Sequence, residues 1–126
     1  MSREEKASSQ SFFEDLTTDY ANNVAVEATI WDLKLIFGEY SDSDKSVNWH
    51  SSITIPWAQA KLLSHYLQVN VAVREVSEGP ISIPEVMIPQ PPPPLTPEQE
   101  KDPKAKAVYE TISALQTAFV RHLKRP

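Results

Sequence analysis

From Asn22 the apolar positions fall on every second residue: Val24, Val26, Ala28 and Ile30 alternate with Ala25, Glu27 and Thr29. A period of two marks a half-buried strand. The alternation resets around Trp31-Asp32. Leu33, Leu35 and Phe37 then point one way and Asp32, Lys34 and Ile36 the other, until Gly38 ends the run. The acidic, serine-rich residues 40–46 read as a polar loop. A third strand follows, with Trp49, Ser51, Ile53 and Ile55 on one face and Asn48, His50, Ser52 and Thr54 on the other. Three strands with short connections predict an antiparallel meander.

Pro56 ends the third strand and suits the first turn of a helix. Over 57–76 the period becomes helical, about five turns at 3.6 residues per turn. Leu62, Leu63, Tyr66, Val69, Val73 and Val76 form one stripe, and Trp57, Ala60, Leu67 and Val71 widen it beyond half the circumference. A surface helix on a sheet needs an apolar arc of only about 100°. The excess calls for a second surface, supplied by a symmetry mate or, in cis, by the Phe12-Phe13 segment or the C-terminal helix. That N-terminal segment carries a Ser11-x-x-Glu14 capping spacing, so a short turn with Phe12, Phe13 and Leu16 against the domain is expected.

Glu78-Gly79-Pro80 closes the helix, with Gly79 just past its end. Ile81, Ile83, Val86 and Ile88 alternate with polar residues and prolines, which reduces 81–88 to an edge strand or an extended arm. The run of four prolines from Pro91 to Pro94 dictates polyproline II, a stiff spacer. Thr96-Pro97-Glu98-Gln99 and Asp102-Pro103 are helix starts. The helix over 103–123 carries Ala105, Val108, Ile112, Leu115, Phe119 and Leu123 on one narrow face, which must dock on something. The chain thus divides into a disordered 1–11, an α+β core over 12–88, a proline-rich linker over 89–97 and a C-terminal helix over 98–126. The fold class is α+β, a meander of three to four strands packed on one long helix.

Size and charge narrow the function. The 126 residues contain no cysteine, so disulfides and thiolate metal sites are excluded. The core that remains is close to the lower limit for an unaided single chain, and association is the standard remedy. The net charge is −5, with the acidic excess in the first two thirds, which disfavours nucleic acid as a partner. The cations Arg121, Lys124 and Arg125 complement the negative end of the last helix dipole. No signal-type or bilayer-spanning apolar run occurs, which predicts a cytoplasmic protein without a membrane partner.

Catalytic and ligand chemistry finds little foothold. His50, His65 and His122 lie in no spacing typical of metal ligation or nucleophilic catalysis. An acid-base pair of His50 with Asp32 or Glu27 is the one catalytic reading to test. Asp42-Ser43-Asp44 begins like a calcium loop but meets Val47 where glycine is required and Ile53 where the closing glutamate belongs. The two glycines, Gly38 and Gly79, build no phosphate cradle. Trp31, Trp49 and Trp57 suit packing better than base stacking in an acidic domain. No catalytic residue, metal or cofactor is therefore expected.

One resemblance is visible. Tyr20-Ala21-Asn22-Asn23-Val24, the block from Trp31 through Asp32 and Leu33 to Phe37-Gly38, the stretch Ile55-Pro56-Trp57-Ala58-Gln59-Ala60-Lys61, and Gly79-Pro80-Ile81 resemble a family of short bacterial and archaeal proteins catalogued as a domain of unknown function. The resemblance covers 20–84 and implies a compact strand-strand-strand-helix unit with no catalytic residues to carry over. The expected function is a non-enzymatic, homo-oligomeric interaction module with a tethered docking helix, its interface on Trp57, Leu63, Tyr66, Leu67, Val71, Ile112, Leu115 and Phe119. Its partner is itself, with room for an unidentified second protein. The alternatives are a client-binding protein of secretory-holdase-like outline, by fold analogy, and, behind it, a small-molecule-binding protein.

Overall fold

The computed structural model describes residues 13–123; the expected disorder of 1–11, Ser11, Phe12, Lys124 and Arg125 lie outside that range. The chain is α+β. Three strands, β1 (Asn23–Ala28), β2 (Asp32–Ser41) and β3 (Ser46–Pro56), form an antiparallel sheet in the order β1-β2-β3. The first hairpin closes where Ala28 faces Leu33, the second where Ser41 faces Ser46. Lys45 takes a left-handed φ of 50° in the second turn.

Gly38 does not end β2. The strand runs through it to Ser41, and the register shifts between Phe37 and Gly38: Phe37 faces Ser51 and Gly38 faces Trp49. His50 is the extra residue of this β-bulge. Because side chains alternate between faces, one extra residue reverses the phase of the strand beyond it. Trp49 therefore lies on the face of Gly38 and Tyr40, opposite to Ile53 and Ile55, which corrects the expectation that the three share a face.

Helix α1 (Trp57–Glu78) begins at the residue after β3. With no connecting loop to reverse the chain, its first three turns leave the strand end without lying along the sheet. Gly79 ends the helix at φ 95°, and its N–H donates to the Glu75 carbonyl at 2.9 Å. The chain divides into two compact units within α1, one to Gln68 and one from Val69.

In the second unit, of the two forms expected for 81–88, the chain takes the arm. A 3-10 turn over Glu85–Met87 replaces any strand, because the flanking prolines cannot donate to a ladder. Thr96 caps the short helix α2 (Pro97–Glu100) in a full capping box with Gln99. Helix α3 (Pro103–Leu123) follows, its first turn held by Asp102, whose carboxylate accepts from the Lys104 N–H at 3.0 Å. The proline run lies along α3: the Gln116 amide donates to the Pro89 carbonyl, and Pro92, Leu95, Tyr109, Ser113 and Val120 are half-buried. Among the described residues no helix is long and apolar enough to cross a membrane.

Candidate functional site

The ladder register sorts the sheet into two unlike faces. Val24, Val26 and Ala28 of β1, Leu33, Leu35 and Phe37 of β2, and Ile53 and Ile55 of β3 share one face, broken only by Ser51 until Glu39 and Asn48 end it. The other face mixes Asn23, Glu27, Lys34, Ser52 and Thr54 with Ala25, Ile36 and Trp49. An antiparallel sheet of this kind buries its apolar face on another layer. Here that face is bare. Val24, Val26 and Ile53 are exposed, Leu33, Leu35, Phe37 and Ile55 only half-buried, and among the described residues Gly38 alone is buried.

The long helix is equally open. At 100° per residue, Ala60, Leu63, Leu67 and Val71 form one apolar stripe and Leu62, Tyr66, Val69, Val73 and Val76 a second. Leu63 is half-buried, and Trp57, Tyr66, Leu67 and Val71 are exposed. In the second unit, Ile112, Leu115 and Phe119 also face solvent. The residues chosen from sequence are thus surface residues, on α1 and on α3. The chain at 13–16 makes the short turn expected, but Phe13 and Leu16, expected to lie against the domain, are exposed.

Two features were missed in sequence. The tip of the first hairpin presents Ile30 and Trp31, 82% and 78% exposed, on a tightly held turn. The Thr29 hydroxyl accepts from the N–H groups of Trp31 and Asp32 and donates to the Asp32 carboxylate at 2.9 Å. The Trp57 indole N–H donates to the Thr29 carbonyl at 2.9 Å, which ties the start of α1 to this turn. The second feature surrounds the bulge. His50 Nε2 donates to the Tyr20 carbonyl at 3.0 Å, and its Nδ1 lies 2.8 Å from the Ser51 hydroxyl. Consecutive strand residues normally point to opposite faces, so only the bulge brings these two side chains together. Ser51 also lies 3.5 Å from an Asp19 carboxylate oxygen.

This cluster fastens the segment before β1 to β3. It does not bring His50 to Asp32 or Glu27, the pair a catalytic reading would need: Asp32 is held by Thr29 and faces Pro56, and Glu27 faces Lys34. His65 lies against Tyr66 on α1, with ring centroids 6.0 Å apart. In the second unit, His122 Nε2 meets Glu75 Oε1 at 3.2 Å while Glu75 Oε2 accepts from the Ile81 N–H at 2.9 Å. The Ile81 N–H first, and the His122 side chain second, hold the Glu75 carboxyl below the ordinary carboxylate range. Glu75 thereby joins the end of α1, the start of the arm and the end of α3.

Clefts follow the proline arm. One of about 700 Å³ runs between Glu85–Pro92 and the Tyr109, Gln116 and Arg121 side of α3. Another, of about 320 Å³, lies between Pro89 and Ile112, Leu115 and Phe119. The first is open and carries no set of converging charges. The fold and these surfaces define an α+β chain whose conspicuous feature is uncovered apolar area. Comparison with family models, with curated proteins and with solved structures found no match to the chain in any of the three.

Proposed function

We propose that the protein is a homo-oligomeric, non-enzymatic interaction module, in which the apolar sheet face and α1 form the contact between copies. One observation carries this reading: among the described residues no apolar side chain is buried, while a whole sheet face and two stripes of a 22-residue helix are apolar. Fully burying a Val, Leu, Ile or Phe side chain is worth about 1.5–3 kcal/mol. The seven large side chains of the sheet face, about half uncovered, therefore forfeit roughly 5–10 kcal/mol per chain in isolation. That is as much as the entire stability of a typical domain.

A second copy is the one partner certain to be present wherever the chain is made.

Sedimentation velocity on the full chain tests the proposal: a dimer or larger species is expected, and Val26→Asp with Ile53→Asp should dissociate it. A folded, cooperatively unfolding monomer would sink it. The same bare face also suits an unfolded client, which gives the client-binding reading its footing. Strong binding of a hydrophobic dye by the assembled oligomer would favour that second reading.

A further inference from the structure

Across the bare face of the sheet the central row is Val26, Leu35 and Ile53, with one row on either side starting at Val24 and at Ala28. Asp19 lies against Ser51 at the Val24 end, while Val26 and Ile53 of the central row are exposed. Such a face takes a helix or a second sheet as its cover. The chain's own helix does not supply it. β3 ends at Pro56 and α1 starts at Trp57, and the Trp57 indole, donating to the Thr29 carbonyl at 2.9 Å, pins the first turn beside the hairpin tip. Ala60 and Leu63 are half-buried near that junction, whereas Leu62 and Tyr66, on the other stripe of α1, are exposed.

We infer that the first three turns of α1 lie on the sheet face of a second copy, and that the second copy returns its own first three turns to the sheet face of the first. This exchange deepens the proposed self-association and rests on it. The lengths agree: β1 from Val24 to Ala28 runs about 17 Å, and α1 from Trp57 to Gln68 about 18 Å. The areas choose between the possible pairings. The sheet face and the exposed stripe of α1 each offer roughly 400 Å² of apolar surface, whereas a specific interface takes about 800 Å² from each partner. A face-on-face pair would use half of that area and leave both helices open, and a helix-on-helix pair would leave both faces bare. In the exchange each chain contributes face and helix at once, and a two-fold axis makes the two contacts identical and closes the assembly at a dimer.

The absence of native cysteine makes the test direct. Full-length chains carrying Val26→Cys and chains carrying Leu62→Cys, co-expressed and treated with a short bismaleimide, should give a cross-linked dimer on a denaturing gel. Either variant expressed alone should stay unlinked, because each face then meets a helix and each helix a face. Ser64→Cys, turned about 160° from Leu62 around α1, should not link to Val26→Cys. Ile53→Cys with Tyr66→Cys repeats the test and covers the case in which the first pair disturbs folding. Linking of Val26→Cys alone would overturn the exchange in favour of stacked sheets, and linking of Leu62→Cys alone in favour of paired helices. A dimer in sedimentation with neither mixed pair linking, or with Ser64→Cys linking as strongly, would overturn the exchange and leave self-association standing. A monomer would remove both readings.

Discussion

Gly38→Ala isolates the mechanical consequence of the bulge. A Cβ at position 38 would meet Val47 Cγ1 at 2.7 Å, the Asn48 carbonyl oxygen at 2.8 Å and Trp49 Cε3 at 2.8 Å. Two of these atoms yield poorly, one being backbone and the other part of an indole ring. Overfilling of this kind costs about 1–3 kcal/mol. Against it, alanine restricts the unfolded chain and returns about 0.4–1 kcal/mol. The net expectation is a loss of about 1–2 kcal/mol. In urea, followed by tryptophan fluorescence, this lowers the midpoint by roughly 0.5–1 M. Wild type and variant must be compared at one protein concentration, because the proposed association would add to stability. Gly79→Ala supplies the contrast: nothing lies within 4 Å of the added atom, and the strain comes from φ 95° alone. A Gly38→Ala midpoint equal to or above that of wild type would refute the close approach of β3 to β2 at the bulge.

Three further outcomes are expected. Trp57→Phe removes the indole donor to Thr29, so stability should fall by about 0.5–1.5 kcal/mol in excess of any packing change; an unchanged urea midpoint would count against that hydrogen bond. Thr96→Ala breaks the capping box of α2 and should cost about 1 kcal/mol, whereas Thr96→Ser should retain most of it, as hydrogen exchange at Gln99 would show. The Glu75 carboxyl has a folded pKa below its unfolded value near 4.5, so its contribution is present above that value and fades as pH falls through the folded pKa. An NMR titration should place its midpoint below 4.5, moving upward in His122→Ala; a midpoint at or above 4.5 in wild type would contradict the Ile81 and His122 contacts.

The elements with strong punctuation were legible before the fold was seen. Pro56 and Gly79 bracket the long helix, Thr96-Pro97 and Asp102-Pro103 start the last two, and the alternation around Val24, Leu33 and Ile53 marks three strands. The side assigned to Trp49 was not legible, because a bulge leaves no trace in composition and shifts the phase by one residue. The meeting of His50 with Ser51 depends on the same bulge. Likewise, the apolar pattern of α1 told that it needs neighbours on two sides, but a pattern of side chains does not say whether those neighbours belong to the same chain. The path of the arm along α3 was hidden for another reason: an apolar stripe in the sequence does not tell where a proline segment without backbone donors will lie, and this one passes Tyr109, Ser113 and Gln116.

The bare sheet face has a consequence for how the protein comes into being. Under the proposed self-association, the final drop in free energy of a newly made copy would wait on an encounter with a sister chain. Synthesis of neighbouring copies from one message would then shorten that wait, while a solitary copy would carry Val24, Val26 and Ile53 in the open. On the same proposal, the amount of protein in the cell would have a floor below which unpaired copies are removed faster than they meet. A variant that keeps every backbone hydrogen bond but weakens the encounter would accordingly show itself as low abundance before it shows itself as lost binding.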